Sequence, residues 1–150
     1  MSFPLPLPMR RALDLAAEAA RAGEVPVGAV VTRNGAIVAE GRNRMREGHD
    51  PTAHAELVAL RAAGEALGTS RLDECILWVS LEPCAMCAGA IALARLQGLR
   101  FAAEDPKGGA VVHGPRLFSQ PTCHHRPAVL GGIGEEEAAA MLREFFRKRR

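Results

Sequence analysis

Two short stretches hold side chains whose types and spacing could do chemistry together: Thr52-Ala53-His54-Ala55-Glu56 and Glu82-Pro83-Cys84-Ala85-Met86-Cys87. Positions three apart lie on one face of a helix, so Cys84 and Cys87 can both point at one atom beyond a helix start. His54 and Glu56 are two apart and would diverge in mid-helix. At a frayed first turn they can converge on a site beyond the helix end. The pattern therefore asks for two helix N-termini meeting at one metal ion. Zinc takes thiolate and imidazole ligands tetrahedrally, and three protein ligands leave the fourth place for water. His54, Cys84 and Cys87 are the predicted ligands of one zinc ion. The partial positive charge of the helix N-termini helps keep the thiols deprotonated. Zinc can lower the pKa of a water from about 15.7 towards ~7. At ~1.36 kcal/mol per unit, this removes on the order of 12 kcal/mol from the cost of making hydroxide at neutral pH. Glu56 is the predicted proton carrier, acting first as base and then as acid.

Each part has a plainer reading by itself. Cys-x-x-Cys opening a helix also describes a thioredoxin-like redox pair. A lone His54 could be an ordinary surface or core histidine, and a lone Glu56 a first-turn acid favoured by the helix dipole. It is their joint occurrence, each at a helix start, that favours the metal reading. Cys75, at a strand start, reads as a small buried apolar residue, and the role of Cys123 stays open.

The elements that must position these residues follow from local pattern. Met9 to Ala22 is Ala-rich and reads as a helix stopped by Gly23. Val25 to Thr32 and Ala36 to Ala39 are apolar runs around Asn34-Gly35, a strong hairpin signal. A polar stretch from Gly41 to Asp50 leads out of the sheet. Asp50-Pro51 looks like an N-cap followed by a first helical residue, opening a helix that Gly68 ends. Ile76 to Leu81 reads as a buried strand. Pro83 opens a helix through about Leu96, stopped by Gly98, and Leu99 to Ala103 is a further strand. Between Glu104 and Gly134 lie four Pro and six Gly, which predicts mostly loop with one short strand near Val111 or Val129. A last helix runs from Glu135 to the end, with Leu142, Phe145 and Phe146 on its apolar side. Helix, hairpin, then alternating strand and helix suggests a three-layer α/β/α domain with a mixed sheet. No internal repeat or long linker divides the chain, so residues 1–150 are expected to form a single domain.

Composition sets the outer bounds. The 150 residues are 48% hydrophobic and 24% charged, the balance of a soluble globular protein. Five Phe, one Trp and no Tyr leave the core to Ala, Val, Leu and Ile. No stretch approaches the ~20 apolar residues of a membrane span, and Met1 to Pro8 lacks the features of a signal peptide, so a cytoplasmic location is expected. The net charge is only +2, yet Arg143 to Arg150 holds five basic side chains and one acid. That end suits a polyanion, and it also simply complements the dipole of a helix beginning Glu135-Glu136-Glu137.

At these motifs the sequence resembles the cytidine/deoxycytidylate deaminase superfamily, and more closely the bacterial tRNA-specific adenosine deaminases. The likeness runs through Val25-Pro26-Val27-Gly28-Ala29-Val30, Gly41-Arg42-Asn43-Arg44, His49 to Glu56, Ser80 to Ala90 and the ending Phe145-Phe146-Arg147-Lys148-Arg149-Arg150. The resemblance implies a five-stranded sheet between helices, a homodimer, and conversion of the wobble adenosine of a tRNA anticodon to inosine. Hydroxide would attack C6 of a flipped-out adenine. By the same resemblance Asn43 hydrogen-bonds the base and backbone amides near Ala55 and Cys84 support it. From the residues alone, Asn43 reads as a turn residue after Gly41. Asp105 and Lys107 resemble a loop that meets the RNA, and Phe146, Arg147, Arg149 and Arg150 a phosphate-contacting end.

The sequence departs from the family pattern in that loop. Lys107-Gly108-Gly109-Ala110-Val111-Val112-His113-Gly114 replaces the usual Lys-Thr-Gly-Ala-Ala-Gly, and His124-His125-Arg126 the common Asn-His-Arg. The departures and the modest net charge motivate a runner-up to the tRNA reading: deamination of a free nucleobase, nucleoside or small aminated heterocycle such as cytosine or guanine. A third possibility, a zinc-stabilised RNA-binding subunit without catalysis, is opposed by the presence of Glu56.

Overall fold

A computed structural model describes residues 4–149, and all that follows concerns those residues. Helix α1 spans Leu7–Arg21, strand β1 Gly28–Arg33 and strand β2 Ala36–Arg42. Helix α2 is Ala55–Leu67, β3 is Cys75–Leu81, α3 is Ala85–Ala94 and β4 is Gly98–Ala103. A single 3-10 turn at Leu117–Ser119 precedes β5, Ala128–Leu130, and α4, Glu135–Arg147. The sheet order is β2-β1-β3-β4-β5. β3 is central, antiparallel to β1 on one side and parallel to β4 on the other. The expected five-stranded mixed sheet is present.

Alternation along the strands sorts the core into two faces, because successive side chains of a strand point to opposite sides. Ala29, Val31, Leu77, Val79 and Phe101 pack with Ala59, Ala63, Ala88 and Ile91 of α2 and α3. Val30, Trp78 and Ala102 pack instead with Met9, Leu13 and Ala138 of α1 and α4. This is the three-layer α/β/α arrangement. The hairpin turn is the one the sequence signals: Asn34 and Gly35 both take positive φ, 51° and 81°, as a two-residue turn of the mirror-image type requires.

Several element boundaries differ from expectation. α1 starts at Leu7 and β1 only at Gly28, while β2 continues to Arg42. Asp50-Pro51 does not open α2. The Asp50 carboxylate accepts from the backbone N–H (2.9 Å) and hydroxyl (2.7 Å) of Thr52, which builds a turn from the same chemistry that a cap would use. The helix begins four residues after Pro51, with His54 as N-cap. Likewise α3 begins at Ala85 rather than Pro83, with Cys84 as N-cap, and it ends at Ala94, where Arg95 adopts φ 60°. Gly98 is the first residue of β4 and does not cap α3. α4 ends at Arg147, and Phe146 lies 49% exposed whereas Phe145 is buried.

Candidate active site

The functional side chains gather at one end of the sheet. The C-terminal ends of β2, β3 and β4 and the N-terminal end of β1 lie together, as the pairings Gly28↔Arg42, Ala29↔Val79 and Leu81↔Ala103 require. α2 follows β2 and α3 follows β3, so both helices start at this end. Their N-caps are His54 and Cys84.

His54 Nδ1 lies 3.6 Å from the Sγ of Cys84 and 3.6 Å from the Sγ of Cys87. All three ligand atoms fall within 4.8 Å of one another. A tetrahedral zinc with bonds of about 2.3 Å to sulfur and about 2.05 Å to nitrogen would place S and N about 3.6 Å apart. The donor set therefore fits zinc both in chemistry and in spacing. Two sulfurs this close cannot both be negative without a cation between them. Hydrogen bonds from Cys87 and then from His54 hold the Cys84 thiol down to about 4, and the same hydrogen bond pushes the Cys87 thiol up. His54 is raised, first by its hydrogen bond with Cys84.

Glu56 is buried in the first turn of α2. Burial pushes its carboxyl up to about 7, against the lowering influence of its own backbone amide. A carboxyl poised near neutrality can both take and give a proton, which is what a general acid/base needs.

Asn43 is not a solvated turn residue but is 4% exposed. Its Oδ1 accepts from the Ala55 backbone N–H at 2.8 Å and its Nδ2 donates to the Val25 carbonyl at 3.0 Å. The Ala55 amide, an unpaired donor of the first helical turn, is thus already engaged by Asn43. The two expected substrate contacts hold each other, and one Nδ2 hydrogen of Asn43 is left over. Asp105 shapes its own loop, its Oδ1 accepting from the backbone N–H groups of Lys107 (3.2 Å) and Gly108 (3.0 Å). Asp105, Lys107, Phe146 and Arg149 line one cleft of ≈ 770 Å³, together with Val25 and Leu81. The guanidinium of Arg149 stacks 3.5 Å over the Phe145 ring. Arg147 does not line that cleft and is paired with Glu144 at 2.7 Å. Arg150 lies outside the described residues.

Sequence reasoning missed two buried carboxylates. Glu24, 1% exposed, accepts the backbone N–H groups of Arg46 and Glu47 and so holds the turn after Asn43. Glu82, 2% exposed, does the same for the loop after β4. The available signal was an acid set beside apolar runs, Glu24 before Val25 and Glu82 after Leu81. Cys75 is buried as expected, and Cys123 donates to the carbonyl of His125.

A metal-competent His/Cys/Cys group beside an acid that exchanges protons near neutrality suits hydrolysis of an amino group from an aromatic ring. On this fold, that makes the chain an enzyme of the cytidine deaminase-like class, a nucleobase-type deaminase cleaving a C–N bond. Comparison with known proteins carries the assignment further: the chain belongs to the MafB19-like deaminase family, whose profile matches residues 7–150. It is 53% identical over 142 residues to a tRNA-specific adenosine deaminase of Agrobacterium fabrum, covering 95% of this chain and 93% of that protein. It is similar to a solved structure from a study of A-to-I editing by tRNA:A34 deaminases, with TM-score 0.90 and 51% identity, covering 91% of this chain and 99% of the other. A guanine deaminase from Nitrosomonas europaea is also similar, with TM-score 0.81 and 27% identity, covering 97% of this chain and 85% of that one.

Proposed function

We propose that this protein hydrolyses the wobble adenosine of a tRNA anticodon to inosine, releasing ammonia. The observation that carries this reading is the cleft lined by Asp105, Lys107, Phe146 and Arg149. An aromatic ring, a guanidinium and a loop lining one cleft suit an unstacked base and its phosphates. Similarity at 53% identity to a tRNA-specific adenosine deaminase supports it against the free-base alternative, for which the guanine deaminase similarities stand at 27% and 35%.

We assign one zinc ion to His54, Cys84 and Cys87, which when bound supplies a water acidified towards neutrality. Glu56 accepts a proton from the attacking water as the oxygen bonds to C6, and delivers it to the adjacent ring nitrogen. It then passes the second proton of that water to the departing amine as the C6–N bond breaks. Atoms balance as adenosine plus water giving inosine plus ammonia. Burial raises the Glu56 carboxyl, which helps it hold the proton it takes before passing it on. In this reading Asn43 bonds the base through its remaining amide hydrogen, while its Oδ1 steadies the start of α2. The helix-start positions of His54, Glu56 and Cys84 fix the reacting groups on rigid elements.

We further infer a homodimer through α3, whose solvent side carries Leu93 (84% exposed) and Met86 (38% exposed). Among the described residues no helix is long and apolar enough to cross a membrane, and a tRNA substrate fits a cytoplasmic site of action.

The test is a product assay. Unmodified tRNA with adenosine at the wobble position is incubated with the enzyme beside a panel of cytosine, guanine, adenine and their nucleosides. Inosine at the wobble position supports the reading; turnover of a free base with none of tRNA overturns it. Binding to RNA through several phosphates should also weaken steeply with added salt.

A further inference from the structure

Glu82 closes a buried strand, and its side chain is fully enclosed. Its Oε2 accepts the backbone N–H groups of Val111 (3.1 Å), Val112 (2.9 Å) and His113 (3.1 Å). Its Oε1 accepts the Asp105 N–H at 3.0 Å and pairs with His113 Nδ1 at 2.8 Å. A carboxylate offers about four acceptor positions, so this one is saturated. Five donors converge on its two oxygens and leave no acceptor partner for a carboxyl proton, so the group is held as a carboxylate and His113 Nδ1–H is the donor of the pair.

Both ends of the segment 105–113 are thereby tied to one buried charge, and the exposed Lys107 rides on the arch between them. The arch is closed further by Gly109 N–H to Asp105 O (2.8 Å) and Ala110 N–H to Pro83 O (2.9 Å). A Cβ on Gly109 would run into the Glu82 carboxylate. Gly108 and Gly109 make this segment expensive to order, because glycine loses the most backbone freedom on folding. Four of the five donors are backbone groups of the arch itself. The fifth is the His113 imidazole, the only side chain among them, and its other nitrogen lies 3.5 Å from the Glu104 carboxylate at the rim of the cleft.

We propose that His113 is a positioning residue for the RNA: acting through Glu82, it locks the arch from Asp105 to Val112 in the shape that presents Asp105 and Lys107 to the substrate. This rests on the tRNA reading above. The hydrogen bond to a buried carboxylate is charge-assisted, the class that costs most when one partner is removed. It should show in substrate affinity, because neither zinc nor Glu56 is touched.

The test compares zinc-loaded wild-type, His113→Ala and His113→Asn enzymes. Amide hydrogen exchange is read across residues 105–113, and kcat and KM on an anticodon stem-loop with wobble adenosine. In H113A, exchange at Val111 and Val112 should rise about tenfold or more. KM should rise about tenfold with kcat within about twofold, the signature of lost uniform binding. In H113N the amide nitrogen stands close to where Nδ1 stood, and both quantities should return towards wild type. Unchanged exchange and KM in H113A, a loss confined to kcat, or an H113N enzyme no better than H113A would each overturn the proposal. A wild-type enzyme that leaves the stem-loop unedited would instead sink the substrate reading and this proposal with it, an outcome distinct from an active parent with an indifferent H113A.

Discussion

Gly41→Ala should damage the active site without replacing any of its residues. Gly41 lies in β2 directly under the first turn of α2. A Cβ there would sit 2.6 Å from the Ala55 carbonyl oxygen, 2.6 Å from the Ala59 nitrogen and 3.0 Å from Val58 Cβ. The backbone contacts fall about 0.8 Å short of the 3.4 Å at which ordinary contact begins, and helix backbone cannot rotate out of the way. The start of α2 must therefore lift, and it carries His54 and Glu56. Overpacking of this kind costs about 1–3 kcal/mol of stability. Ligand distances tolerate only about 0.2 Å and catalytic placement about 0.5 Å, so the lift exceeds both. A misplacement near 1 Å costs on the order of 100-fold in rate. Gly28→Ala is the control on the opposite face of the sheet: its Cβ would meet the Ala12 carbonyl oxygen at 2.1 Å and the Ala16 nitrogen at 2.6 Å, a tighter clash but one borne by α1. Both variants should unfold at lower urea, while only G41A should lose zinc during dialysis against a weak chelator and lose about two orders of magnitude in inosine formation. A G41A enzyme with wild-type zinc retention and turnover, or a G28A enzyme equally impaired in both, would refute the reasoning.

Three further outcomes are expected. Glu56→Gln should keep its zinc, measured by elemental analysis, and lose about 10³-fold in kcat, since positioned proton transfer contributes about 10²–10⁴-fold; turnover equal to the parent would remove the proton-carrier role. Glu40 forms a two-pronged pair with Arg11 (2.6 and 3.0 Å) and is held below the ordinary carboxylate range by that hydrogen bond. Because its folded-state pKa is lowered, its contribution is present at neutral pH and fades as pH falls through and below the ordinary carboxylate range. Glu40→Gln should therefore cost about 0.5–1 kcal/mol at pH 7, a value kept small by the pair's partial exposure, and progressively less on acidification when urea unfolding is followed across that range. Leu93→Glu should shift the protein from dimer to monomer in light scattering; an unchanged mass would move the interface away from α3.

How much of this was legible depends on how far apart the cooperating residues are in the chain. Asn34-Gly35 could be read because the turn is decided by those two residues alone. His54, Glu56, Cys84 and Cys87 could be read because each motif is local and zinc chemistry supplies the link between them. The helix starts misled because Asp50 satisfies Thr52 instead of a helix end, a choice that depends on where the chain leaves β2. The end of α3 was misplaced because Arg95, not a glycine, takes the left-handed conformation. Glu24 and Glu82 escaped notice for a different reason: their partners lie more than twenty residues away and, the His113 imidazole apart, are backbone amides, which carry no sequence signature. Phe146 reads as core by periodicity, yet α4 turns it towards the cleft.

The mixed sheet has a final consequence for how this enzyme can be remade. Strands of six or seven residues put about 20 Å between their ends, and the reactive groups crowd one of them. The opposite end holds the Asn34-Gly35 turn, where both residues are exposed and Gly35 meets nothing within 4 Å of an added Cβ. A tag, a fluorophore or a whole guest protein spliced between Asn34 and Gly35 would thus ride on the blunt handle of the tool while its blade stays untouched.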